Sequence, residues 1–245
     1  MSAAGPSVAI EAVGLTRRFG PHVALDDLTL CVTAGECFGL LGANGAGKTT
    51  FLRLVTGFLL PSAGWIRVGG RSPAAEPGAV AERLGFVMET SRLYPELRVE
   101  GFLRFMGGAR RLRGAALDAA VERVLARFGL TALARRSIGN LSKGYQQRVS
   151  LAQAFLHDPP LVIVDEPTGG LDPLQQDEVQ ELLLEQRGER TVLVCTHDLA
   201  EARRLATRVA VLRAGRLVAE GPTREVLAGE DALALFRAGP GEAAA

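Results

Sequence analysis

The sequence predicts an α/β fold: a core on a mostly parallel central sheet, with an N-terminal antiparallel β subdomain and a helical subdomain. Three observations lead there. LVIV (161–164) and TVLVC (191–195) are continuous apolar runs, as expected of strands in a parallel sheet covered on both faces. VAIEAVGL and ALDDLTLCV carry the alternation of half-buried antiparallel strands. From residue 94 to about residue 133, apolar residues recur at three- and four-residue steps, the helical period.

Taken in order, the first third reads as strands. ECFGLLG is a short apolar run ending at a glycine-rich loop, and a helix starting near Lys48 carries FLRLVTGFL. WIRVGG and GFVMET read as further strands, and RSPAAEPGA (71–79), with two prolines and a glycine, as a loop. VEGFLRFMGG and ALDAAVERVLARFGL form the helical insert. DEVQELLLEQRG is an amphipathic helix between the two apolar strands, RVAVLRAGRLVAEG a closing hairpin, and AGPGEAAA a frayed tail. One domain over residues 1–245 follows. Its core and β subdomain take approximately 1–88 and 160–225, its helical subdomain approximately 89–159, and a C-terminal helix and tail 226–245.

Composition narrows the function classes. The chain has 245 residues, 47% hydrophobic and 22% charged, enough for one large core with a subdomain. Net charge is +1, from 28 basic and 27 acidic residues, so no global excess asks for nucleic acid. Local clusters at Arg110, Arg111 and Arg113 and at Arg203, Arg204 and Arg208 read as solvated helix faces. Cys31, Cys37 and Cys195 include no C-x-x-C pair and are expected to be free thiols. Cys195 is expected to be a small buried residue, with oxidation sensing as the other reading. The N-terminus lacks the charged and apolar segments of a signal peptide. No run of about 18 apolar residues exists to span a bilayer.

Three motifs carry chemistry. GANGAGKTT (42–50) fits G-x-x-x-x-G-K-[ST] at Gly42, Gly47, Lys48 and Thr49. Its glycines let backbone N–H groups turn around phosphate oxygens, and the helix that follows adds its positive end. Lys48 is expected at the β- and γ-phosphates, with the Thr49 hydroxyl on Mg²⁺. LVIVDEP (161–167) brings two carboxylates to a strand's carboxyl end, where ligands of parallel sheets collect. Asp165 is expected to hold Mg²⁺ through water, and Glu166 to polarise an attacking water as general base. LSKGYQQRVS (141–150) opens a helix with Ser142 as N-cap and Lys143 and Gly144 in the first turn. Such a start binds anions, or simply caps a core helix that buries Val149, Ala152 and Phe155.

The ordered trio resembles the ATP-binding-cassette ATPases, over nearly the whole chain. The resemblance implies a P-loop NTPase core that binds ATP with Mg²⁺ and hydrolyses it to drive transport. It implies that Asn44, Gly45, Ala46 and Thr50 join Gly42, Gly47, Lys48 and Thr49 around ATP. Phe19, in RRFG, resembles the aromatic residue that stacks on adenine; a core phenylalanine is the alternative. Leu141, Ser142, Lys143, Gly144 and Tyr145 resemble the signature that completes the site of a second copy. Asp172 in GGLDP resembles the loop that couples two sites, and His197 in CTHD the switch histidine at the γ-phosphate. Glu89 stands where the family usually has glutamine. It can offer oxygen to Mg²⁺ but cannot donate as an amide does. The context ETSRLYPELRVEGFLRF, with LSKGYQQRV, resembles a branch whose ATPases are separate subunits driving exporters.

The resemblance therefore implies a homodimer of cassettes, a separate transmembrane permease, a peripheral position on the cytoplasmic face of the membrane, and no nucleic-acid partner. The alternatives are a soluble cassette ATPase acting on ribosomes or DNA, an importer subunit, and an ordinary phosphate-loop kinase or GTPase.

Overall fold

In the computed structural model, which describes residues 7–89 and 93–229, the chain opens as a long hairpin. Strands β1 (Val8–Phe19) and β2 (His22–Thr33) pair antiparallel, and β1 also pairs antiparallel with β4 (Ala63–Val68), giving the sheet order β2-β1-β4. The alternating sequence of β2 turns Leu28, Leu30 and Val32 inward and leaves Thr29 and Cys31 exposed.

The second sheet has the order β5-β6-β7-β3-β8-β9, from β3 (Cys37–Leu41), β5 (Leu84–Val87), β6 (Leu161–Asp165), β7 (Thr191–Thr196), β8 (Arg208–Arg213) and β9 (Arg216–Pro222). Four of its pairings are parallel; only the terminal β8–β9 hairpin is antiparallel. The continuous apolar runs follow from this position. Leu161, Ile163, Leu193 and Cys195 face a core shared with the antiparallel sheet and α1 (Lys48–Val55). Val162, Val164, Val192 and Val194 face the opposite core, with the helices. Successive side chains on a strand point to opposite faces, so a strand buried on both is mainly apolar, and its polar residues, Asp165, Thr191 and Thr196, stand at the strand ends. Each such aliphatic side chain contributes about 1.5–3 kcal/mol by full burial.

Helices α3 (Val99–Ala109), α4 (Gly114–Arg127) and α5 (Lys143–Ala154) supply the helical layer, and α6 (Pro173–Leu184) follows β6. Val149, Ala152 and Phe155 are buried as the helix pattern required. One local expectation fails. The loop assigned to residues 71–79 already contains the start of α2 (Pro77–Arg83). Pro77 sits at a helix start, where its fixed φ suits the helix and its missing N–H is not needed, so a residue read as a breaker is an initiator. Short helices α7 (Leu199–Leu205) and α8 (Thr223–Val226) flank β8 and β9. The AGPGEAAA tail and positions 90–92 of the ETSR stretch lie outside the described residues, and of the C-terminal segment 226–245 only 226–229 is described.

Among the described residues no helix is long and apolar enough to cross a membrane.

Candidate functional site

The chain leaves β3 at Leu41, runs through the glycine-rich loop and enters α1 at Lys48. Its tightest points need glycine. A Cβ on Gly42 would lie 2.6 Å from the Leu212 carbonyl oxygen, and one on Gly47 (φ 108°) would lie 2.7 Å from that of Ala24. Gly47 caps α1 without a side-chain acceptor, so the first-turn N–H groups are left for an anion.

This loop floors a cavity of about 480 Å³. Asn44, Gly45, Gly47, Lys48, Thr49, Thr50, Phe19, Glu89, Asp165 and Glu166 line it. Ala46 is buried beneath the loop, where its carbonyl accepts from Gly215 N–H at 3.0 Å. Gly42 acts through its carbonyl, which accepts from the Lys48 ammonium at 2.5 Å. The Phe19 ring is 42% exposed, with the Arg17 guanidinium 4.6 Å from its centroid, so it is not a core phenylalanine. The sequence reading missed His22 and Ala24, which also line the cavity. His22 pairs with Phe19 across the Gly20–Pro21 turn; reading FGPH as a tight hairpin would have found it.

Glu166 leaves the end of β6 with φ 48°, and its N–H donates to the Cys195 carbonyl at 2.8 Å. A left-handed non-glycine residue costs about 1 kcal/mol or more and tends to mark functional sites. Its Oε1 lies 3.6 Å from Lys48 Nζ and 2.9 Å from His197 Nδ1, and its Oε2 accepts from the Thr196 hydroxyl at 3.3 Å. The Asp165 carboxyl is pushed up to about 6 by burial and then by the Glu166 and Glu89 carboxylates, with Lys48 opposing. This corner holds more negative charge than the protein balances, which suits a cation. Among the described residues no three histidine, cysteine or carboxylate side chains form a closed metal site. Thr49, Asp165 and Glu89 offer hard oxygen donors on this cavity, which fit an Mg²⁺ ion.

The signature residues do not line this cavity. Ser142 caps α5, accepting from Tyr145 N–H at 3.4 Å. Leu141 is in the core, Ser142, Lys143 and Tyr145 are exposed, and Gly144 is buried under Gln175. Asp172 caps α6 by accepting from Gln175 N–H at 3.0 Å. The loop of Asp172 and the start of α5 therefore meet through Gln175.

A second cavity, about 370 Å³, is an apolar groove between Phe58, Phe86, Met88, Tyr94, Phe102 and Met106. The two arginine clusters are engaged within the chain. Arg110 donates to the Ala81 carbonyl, Arg203 to that of Leu227, Arg204 pairs with Asp177 and Glu181, and Arg208 with Glu36 and Glu220. The three thiols are free, with Cys31 exposed and Cys37 and Cys195 buried. Burial raises the Cys195 thiol well above its ordinary range, which removes the thiolate that oxidation sensing needs.

Comparison with known proteins gives one family. Residues 25–169 match the model of the ABC transporter family. The chain is 40% identical over 219 residues to the Nod factor export ATP-binding protein I of Rhizobium johnstonii, covering 87% of this chain and 69% of that protein. It is 38% identical to the probable multidrug ABC transporter ATP-binding protein YbhF of Escherichia coli, over 86% of this chain but 37% of that protein. Among solved structures, CbiO1 of Clostridium perfringens, part of the ABC transporter complex CbiONQ, superposes with a TM-score of 0.85 at 27% identity. That match covers 93% of this chain and 94% of that one.

Proposed function

From the premise that the chain belongs to the ABC transporter family, as an ATP hydrolase coupled to transport, we propose that it powers an exporter as one of two head-to-tail copies bound to a separate permease. The observation that carries this reading is the convergence, in one cavity, of the GANGAGKTT loop with Asp165 and Glu166.

In this reading adenine stacks on Phe19, and the loop N–H groups and Lys48 hold the phosphates. Glu166 takes a proton from water as the water oxygen bonds the γ-phosphorus; the bond from that phosphorus to the β–γ bridging oxygen breaks, and ADP and inorganic phosphate leave. His197, hydrogen-bonded to Glu166, turns toward the γ-phosphate. Thr49, Asp165 and Glu89 would hold Mg²⁺, which would supply charge to neutralise the phosphates when bound.

The dimer reading draws on the exposed start of α5. Ser142 to Gly144 offer an anion-binding helix N-terminus away from their own chain's cavity, so a second copy's ATP is the natural ligand. Asp172 then couples the two sites through Gln175. The apolar groove beside Glu89 receives a short helix of the permease, which keeps the chain peripheral on the cytoplasmic face. Export rests on the names of the relatives and on the Glu89 context.

The test is co-purification. Tagged Glu166→Gln protein, trapped with ATP and Mg²⁺ in membranes of the source cell, should bring down a polytopic membrane protein in matching stoichiometry. Recovery of ribosomes, DNA or soluble partners alone would overturn the transporter reading.

A further inference from the structure

Glu201, on α7, is a carboxylate that the proposed chemistry does not use, yet it is only 2% exposed. An acidic side chain is almost never buried so fully without partners. Its partners come from the segments on either side of the candidate base. The Thr168 hydroxyl donates to Glu201 Oε1 at 2.8 Å. Thr168 belongs to the turn that follows Glu166, closed by Gly169 N–H donating to the Glu166 carbonyl at 3.2 Å. The Thr196 hydroxyl at the end of β7 favours the charged form of Glu201, while it donates to Glu166 Oε2 at 3.3 Å. Thr168 is 5% exposed and Thr196 0%, so water does not compete for either hydroxyl.

Hydrogen bonds run from the Glu166 turn through Thr168 to Glu201, from the Glu201 N–H to the Asp198 carboxylate at 3.4 Å, and from Asp198 N–H through the Thr196 hydroxyl back to Glu166. Asp198, which follows His197, caps α7 by accepting from Ala200 N–H at 2.7 Å, and its own N–H donates to Thr196 Oγ1 at 3.0 Å. The Thr196 hydroxyl has one proton to give, and it donates it to Glu166 Oε2. Glu166 meanwhile holds a left-handed backbone, a conformation that persists only where its surroundings over-determine it.

We infer that Glu201 is a positioning residue for hydrolysis: by tying Thr168 to the start of α7 it fixes the turn that aims Glu166 and sets the pairing of Glu166 with His197. The inference rests on the reading of Glu166 as general base. Glu201 itself does not line the cavity. A misplacement of a catalytic group by about 1 Å can cost ~10²-fold in rate, so a small relaxation of this turn is enough to register.

The experiment measures kcat and KM for ATP in the purified full chain and in three variants. Glu201→Ala and Thr168→Val should each lower kcat about tenfold or more, with KM within about twofold, because a group acting only after binding changes kcat alone. Glu201→Gln keeps an acceptor for Thr168 and should recover most of the rate. If Glu201→Ala does not fold, Thr168→Val and Glu201→Gln still decide. A kcat within about twofold of the parent in Thr168→Val and, where it folds, in Glu201→Ala, a KM that moves in step with kcat, or a Glu201→Gln rate as low as that of either, would overturn the inference. A Glu166→Gln control separates the two readings. Near-parental turnover there sinks the base assignment and this inference with it. Loss there, with Thr168→Val and Glu201→Ala at parental rate, sinks the inference alone.

Discussion

Nδ1 of His197 lies 2.9 Å from Oε1 of Glu166, the same oxygen that faces the Lys48 ammonium at 3.6 Å. One carboxylate oxygen thus joins the glycine-rich loop to the end of β7. With Glu166 ionised, Nδ1 carries the proton of that contact, and Nε2 of a side chain 59% exposed is left to face a ligand.

Glu166→Gln keeps the size of the side chain but removes the proton acceptor. Turnover should fall by ~10² to 10⁴, the usual worth of a general base, while nucleotide affinity stays near the parent value. Steady-state hydrolysis beside fluorescent-nucleotide titration checks this; unchanged turnover removes Glu166 from the role.

Glu89→Gln tests the carboxylate found where the family usually has an amide. Glu89 lines the cavity and raises the Asp165 carboxyl, so losing its charge makes the corner less attractive to a divalent cation. At an effective dielectric near that of a protein surface such a charge is worth about 1 kcal/mol or more at these separations. Half-saturating Mg²⁺ for hydrolysis should rise by about threefold to tenfold. An unchanged Mg²⁺ titration would remove Glu89 from the cation's surroundings.

Gly47 and Gly144 should respond differently to alanine. At Gly47 the new Cβ meets backbone, the Ala24 carbonyl oxygen at 2.7 Å, with φ at 108°. Gly47→Ala should cost about 2 kcal/mol or more of stability, the scale of backbone strain and overpacking. At Gly144 the nearest atoms are Cδ and Cγ of Gln175, at 2.8 and 2.9 Å, and that side chain can swing aside. Gly144→Ala should stay within about 1 kcal/mol of the parent by urea unfolding and yet lose hydrolysis, because the displaced Gln175 crowds the start of α5. Parental hydrolysis in Gly144→Ala would count against that surface taking part in the reaction.

His157 sets a pH dependence of stability. Burial, and then the Arg110 charge, lower its imidazole to about 4 from an ordinary 6.5. The folded state binds fewer protons than the unfolded chain between these values. The neutral ring's contribution is therefore present above pH 6.5 and lost as pH falls toward 4. Asp165, raised to about 6, works in the opposite sense, so the comparison must be with a variant at position 157. The melting temperature of His157→Gln should fall less than that of the parent between pH 7 and about 4. Parallel curves would show that the imidazole titrates normally.

The sequence by itself determined the local elements and the chemistry they carry. LVIV and TVLVC are apolar because period-two geometry leaves the middle of a doubly buried strand little place for polar residues. GANGAGKTT reads as a phosphate loop because its spacing describes one continuous turn and helix start. These are short-range matters, settled within a few residues of chain. Tertiary structure decided what lies side by side. The sheet order β5-β6-β7-β3-β8-β9 sets the ends of β6 and β7 together, and only that adjacency brings His197 and Thr196 to Glu166 across some 30 residues. The same packing buried Glu201 against the Thr168 hydroxyl. A glutamate on a short helix carries no period and no motif, and its role comes from neighbours distant in sequence.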